Sequence, residues 1–246
     1  MFTKMLHQKK KWTGVVACGV LFFLGAVSLA APITVPTSLN PGDPYRLAFV
    51  SSTKRDATSP DIADYNTFVT NAANGVTELA ALGTTWKAIA STPTADARDN
   101  TGTLPTFAGG SLGVPIFSLN DTKLVDSNDD LWDRTLDCCG IRWTETGAFL
   151  GDLVWTGSTA LGEGYVNYEL GSLSNMVWMG SSVANGSGWM SLGWGWYLGS
   201  SRFYALSETL SVPSQPAIPE PSTLILFLIG IIGTAIYAYR RCKHPV

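Results

Sequence analysis

Two uncharged apolar runs lie near the ends of this chain, each bordered by cations, and they confine any water-soluble fold to what lies between them. Gly14 to Leu29 follows Lys4, Lys9, Lys10 and Lys11, and Thr223 to Tyr239 is followed at once by Arg240, Arg241, Cys242 and Lys243. The first pattern, with small residues at Ser28-Leu29-Ala30, has the parts of a secretory signal peptide, and cleavage is expected after Ala30 or Ala31. An uncleaved membrane helix is the other reading. The second run is 17 residues long, the short end of what spans a hydrocarbon core, and the cations beyond it hold that end in the cytoplasm. The body between the runs is therefore expected to face away from the cytoplasm.

Charge is sorted the same way. Residues 31 to 213 hold 18 of the 19 acidic side chains and nine of the 16 cations, a formal charge of −9. An acidic body repels phosphate backbones, which argues against nucleic acid as a partner. Only Cys138 and Cys139 fall inside it. Adjacent cysteines close only a strained ring, so two thiols or a rare vicinal bridge are the choices, and a long-range disulfide framework is ruled out.

Between body and second apolar run, Pro213, Pro216, Pro219 and Pro221 deny residues 211–222 regular helix or sheet. The order Pro219-Glu220-Pro221, apolar helix, Arg240-Arg241 resembles the PEP-CTERM sorting signal. That resemblance implies a membrane-embedded exosortase as processing partner after signal peptidase. It also implies an inner-membrane-anchored intermediate facing the periplasm, then a place on the cell surface or in the extracellular matrix, as in bacteria that make exopolysaccharide and biofilm. An ordinary single-pass anchor on a proline-rich stalk is the plainer alternative.

The expected organisation is a signal peptide over 1–30, a leader over 31–44, an ectodomain over 45–210, the linker over 211–222, a transmembrane helix over 223–239 and a basic tail over 240–246. Within the ectodomain Tyr45 to Val50 alternates like a strand. Ser59-Pro60 looks like a helix start, and Ile62, Tyr65, Val69, Ala72, Val76 and Leu79 recur at steps of three and four. One amphipathic helix from 60 to about 81 is expected there. Beyond Gly83, short runs between Gly, Asn, Asp and Pro read as strands: 85–90, 114–119, 154–156, 165–170, 176–179, 189–197 and 203–210. The class is α+β. Several pieces occur in the order found in the endostatin-like branch of the C-type-lectin-like fold and resemble it: Trp86 to Ser91, Asp96-Ala97-Arg98-Asp99, Pro115 to Asp121 with Leu131-Trp132-Asp133, Val154 to Ser158, and Phe203 to Leu206. That family's zinc-binding histidines, disulfide cysteines and calcium-holding triplets have no counterparts here, so the resemblance implies a fold without the lectin chemistry.

His7 and His244 are the only histidines and both lie outside the body, which removes Ser/His/Asp and Cys/His nucleophiles and zinc hydrolysis. Glycoside hydrolysis needs two facing carboxylates, and none of the body's acids stands out as such a pair, so no enzyme is expected. Asp126, Asn128 and Asp130 fit the first positions of a calcium loop, with Asp137 at the twelfth, but Leu131 stands where the loop needs glycine. The readings are a weak calcium site, the one cofactor considered, or a solvated acidic turn. Trp178, Trp189, Trp194, Trp196 and Tyr197 crowd together among glycines and serines. They are candidates for stacking on exopolysaccharide or seating another surface protein, against the alternative that they fill the core.

Overall fold

The computed structural model describes residues 31–214. The expected signal peptide, most of the linker with Pro219, Glu220 and Pro221, the second apolar run, and Arg240 and Arg241 lie outside the described residues. No helix among the described residues is long and apolar enough to cross a membrane.

Strand β1 (Pro44–Val50) is buried from its second residue to its last. Its two faces feed different halves of the core, which is why alternation between polar and apolar residues is missing. Tyr45, Leu47 and Phe49 enter one cluster with Tyr65, Val69, Trp86, Trp155 and Phe203. Ala48 and Val50 enter a second, with Ile116, Trp132, Trp189 and Tyr204.

Helix α1 (Ile62–Asn74) packs Tyr65, Val69 and Ala73 on the first cluster. Its start is capped by Asp61, whose carboxylate accepts from the Ala63 N–H at 2.9 Å, while Ser59 Oγ accepts from the Asp61 N–H. The expected single helix to residue 81 is corrected. Gly75 ends α1, Val76 takes an extended conformation with φ −114°, and the chain restarts as α2 (Thr77–Ala80), keeping Leu79 buried. Glycine and a β-branched residue in succession cost helix more than the continued apolar period returns.

Next come β2 (Trp86–Ala88), α3 (Ala97–Asn100), β3 (Ile116–Ser118), β4 (Lys123–Val125) and α4 (Asn128–Leu131). A second group follows, β5 (Leu153–Trp155), β6 (Met176–Ser181) and β7 (Gly193–Trp196), and then β8 (Tyr204–Ser207) and β9 (Leu210–Ser211). The main sheet runs β2-β8-β1-β3-β4, with β1 and β3 parallel and β9 added antiparallel to the start of β1. The smaller sheet is antiparallel β5-β6-β7. The α+β class expected from the sequence is what the chain adopts.

Three strand expectations are corrected. Residues 165–170 form turns, with the Tyr168 N–H on the Tyr165 carbonyl and Asn167 at φ 68°. The 189–197 run is broken: Ser187–Trp189 is a 3-10 turn, and the strand begins only at Gly193. The 203–210 run is two strands, β8 and β9, rather than one.

Both ends of the described chain meet at one pole. Pro44 pairs with Ser211, and the Val212 N–H donates to the Asp43 carbonyl at 2.9 Å. The other end of β1, Val50 against Tyr204, is about 20 Å away for a seven-residue strand. The smaller sheet attaches there, through the Trp155 N–H to the Arg202 carbonyl at 2.9 Å.

Candidate functional site

Strand β7 reads Gly-Trp-Gly-Trp, and the structure turns it opposite to a core strand. Gly195 lies against the interior, while Trp194 and Trp196 are 54% and 62% exposed. The cause is steric. A methyl group on Gly195 would lie 2.8 Å from Met179 Sδ and 3.0 Å from the Trp155 indole, so only a residue without a side chain lets the strand seat there. Leu192 and Leu198, in step with the tryptophans, are exposed too.

The neighbouring strand completes the face. Trp178 stands opposite Trp194 and Met176 opposite Trp196, while the alternate residues Val177 and Met179 belong to the core. Tyr165 lies flat on Trp178, with centroids 4.3 Å apart and planes at 7°, and Tyr168 meets the same ring edge-on at 5.7 Å. Trp178 Nε1 donates to Ser191 Oγ at 2.6 Å. Ser191 in turn lines an open cleft of about 310 Å³ with Arg134, Thr159, Glu163 and Ser187. Glu163 is paired with Arg98 at 2.9 Å.

Two of the five candidate aromatics, Trp194 and Trp196, therefore face solvent. Trp189 is corrected: it is 0% exposed, stacked against Trp132 at 5.9 Å in the second cluster, because the 3-10 turn swings its ring inward before β7 begins. Tyr197 is partly buried against the first cluster, and its carbonyl accepts from the Ala57 N–H. Tyr165 and Tyr168 were not foreseen. A signal was present, since residues 170–201, which carry most of this face, include no Asp, Glu, Lys, Arg or His.

The acidic loop brings together two of the three expected calcium ligands. Asn128 is corrected as a ligand: it is buried and its amide donates to the Ser111 carbonyl, because Ser127 caps α4 and turns Asn128 inward. Asp126 and Asp130 do meet, with Asp137, so that their oxygens lie within 4.8 Å of one another, and Lys123 Nζ sits 2.5 Å from Asp126. Calcium takes roughly six to eight oxygens, and one of these carboxylates already serves a lysine. Burial, then the charges of Asp130 and Asp126, push the Asp137 carboxyl above the ordinary carboxylate range. Cys138 and Cys139 are free thiols with sulfurs 2.7 Å apart. Burial and the hydrogen bond with Cys139 push the Cys138 thiol up to about 11.

The fold and its surface define an α+β domain with one exposed aromatic sheet face. The particular assignment comes from the tail: residues 217–241 match the family model of the PEP-CTERM protein-sorting motif. The motif makes the chain an exported protein directed to an exosortase, a sorting route that passes through the membrane. No curated protein matches the chain.

Proposed function

We propose that this is a non-catalytic binding protein of the cell surface or extracellular matrix, delivered by signal peptidase and exosortase, that holds its partner on the outer face of β6 and β7. The observation that carries the reading is the inverted β7, where Gly195 sits on the inside and Trp194 and Trp196 stand outside. Exposed, rigid aromatics dominate binding energetics and are costly to leave in water without use. Their position supports it too, since the sheet that carries them joins the main sheet at the pole away from Ser211, where the chain leaves for its sorting tail.

The domain is proposed to be C-type-lectin-like, of the endostatin-like branch. What supports this is the landing of the resembling segments, in order, on β2, α3, β3, β5 and β8. The intermediate is proposed to be anchored in the inner membrane by the second apolar run, with the domain in the periplasm. The absence of histidine from residues 31–214 supports the non-catalytic reading.

The experiment is fractionation of cells expressing the full chain as wild type, as W194A/W196A, and with Pro219, Glu220 and Pro221 replaced by alanine. The wild type is expected on the washed surface or in the matrix, the tryptophan variant in the medium, and the motif variant in the membrane with its tail attached. Equal surface retention of the tryptophan variant would sink the binding face.

A further inference from the structure

We infer that the partner of this face is an uncharged polysaccharide strand, stacked on Trp194 and Trp196 with its hydroxyls directed to the cleft beside Trp178. The inference rests on the reading of β6–β7 as the binding face and deepens it.

Charge decides first. The body carries −9, yet residues 170–201 carry no charged side chain. A polyanion would be repelled by the body as a whole and find no cation on β6 or β7, with Arg134 in the wall of the cleft as the one guanidinium it could meet. A polycation would find no free carboxylate there, since Glu163 in the adjoining cleft is already met by Arg98 at 2.9 Å. A ligand without charge loses nothing on either count.

Size decides between an uncharged glycan and a protein surface. Two strands of four facing residues cover about 14 Å by 10 Å, on the order of 140 Å². A stable protein interface takes about 800 Å² from each partner. The two strands alone fall well short of that and match the scale of a few sugar rings, with exposed Leu192 and Leu198 extending the apolar strip along β7.

The chemistry also fits. A pyranose offers an apolar C–H face and a hydroxyl edge, and indoles supply a flat apolar partner at small entropic cost. Trp194 and Trp196 stand two residues apart on one face, about 7 Å along the strand, so that successive rings of one chain can each meet an indole. Thr159, Ser187 and Ser191 line the cleft, and their hydroxyls both donate and accept, as sugar hydroxyls do.

The test uses the mature exported protein with an insoluble β-glucan and agarose as neutral probes and alginate as a polyanion. Retention on at least one neutral probe is expected, unchanged between about 0.05 and 1 M salt. W194A and W196A are each expected to lose at least about tenfold in affinity, with the circular dichroism of the wild type retained. Retention on alginate alone that fades with salt, or on no probe, overturns the inference. Self-association in sedimentation that W194A abolishes also overturns it, while leaving the face as a binding surface. Unchanged surface retention of W194A/W196A in cells would instead remove the reading beneath it.

Discussion

Gly195 lies so close to Trp155 that a single methyl group on the glycine would come within 3.0 Å of the indole. Trp155 is buried in the first core cluster and cannot move aside without disturbing Phe49 and Phe203, which share it. Gly195→Ala is therefore expected to cost about 1–3 kcal/mol, the usual penalty for overpacking a filled core. It should also weaken ligand binding, because β7 must lift to make room. Urea unfolding and a binding isotherm on the same preparation measure both; an unchanged midpoint would mean that β7 seats differently.

The tryptophans divide by energetics as well as by position. Trp194→Ala and Trp196→Ala should each change stability by no more than about 0.5 kcal/mol, as exposed substitutions do. Trp189→Ala removes a ring packed between Trp132 and Tyr204 and should cost about 3–5 kcal/mol. Chemical denaturation of the three variants checks the contrast. Comparable losses at all three positions would place the β7 tryptophans in the core after all.

Asp152 accepts from Lys54 at 2.7 Å and from Arg202 at 2.9 Å, and Arg202 also donates to the Ser51 carbonyl. Burial opposes ionisation of Asp152, but these two cations outweigh it and hold its carboxyl below the ordinary carboxylate range. With the folded value below the unfolded one, the contribution is complete above an unfolded pKa of about 3.9 and is lost as pH falls through the folded value. Wild-type stability should thus drop over that acid window, and Asp152→Asn should remove this part of the drop while lowering stability at neutral pH. Denaturant midpoints taken from about pH 2 to pH 7 test it; parallel curves for the two proteins would refute it.

The Cys138 thiol, pushed up to about 11, should stay protonated at neutral pH and react slowly despite its exposure. Alkylation followed by intact mass should accelerate up to pH values near 11. Cys139→Ser should move that rise to lower pH, because the neighbouring thiol is the second cause of the shift. Fast labelling at pH 7 would show that the pair is arranged otherwise.

Elements with strong local pattern were legible: β1 from its large apolar run, α1 from Ile62, Tyr65, Val69 and Ala72 at steps of three and four, and β6 from Met176 to Met179. β4 was not, because Lys123-Leu124-Val125 is too short to show a period and depends on pairing with β3. The shared face of Trp194 and Trp196 followed from a period of two. Which side that face takes did not, since the period is blind to it and Gly195 meeting Trp155 settles the matter only in three dimensions. Trp189 misled for a related reason: its orientation is set by a three-residue turn whose sequence, Ser-Gly-Trp, carries no helical signal.

The pairing of β9 with β1 also sets how the protein carries load. A pull on residue 214, with a strand of ligand held at β7, enters the domain at Leu210–Ser211, crosses the main sheet through β1 and β8, and leaves through Arg202 and Trp155 into the smaller sheet. The two register pairs joining β9 to β1 are the first on that line to meet the pull, and they lie at the pole away from the tryptophans. Tension would peel them first, lengthening the tether while the grip stays closed.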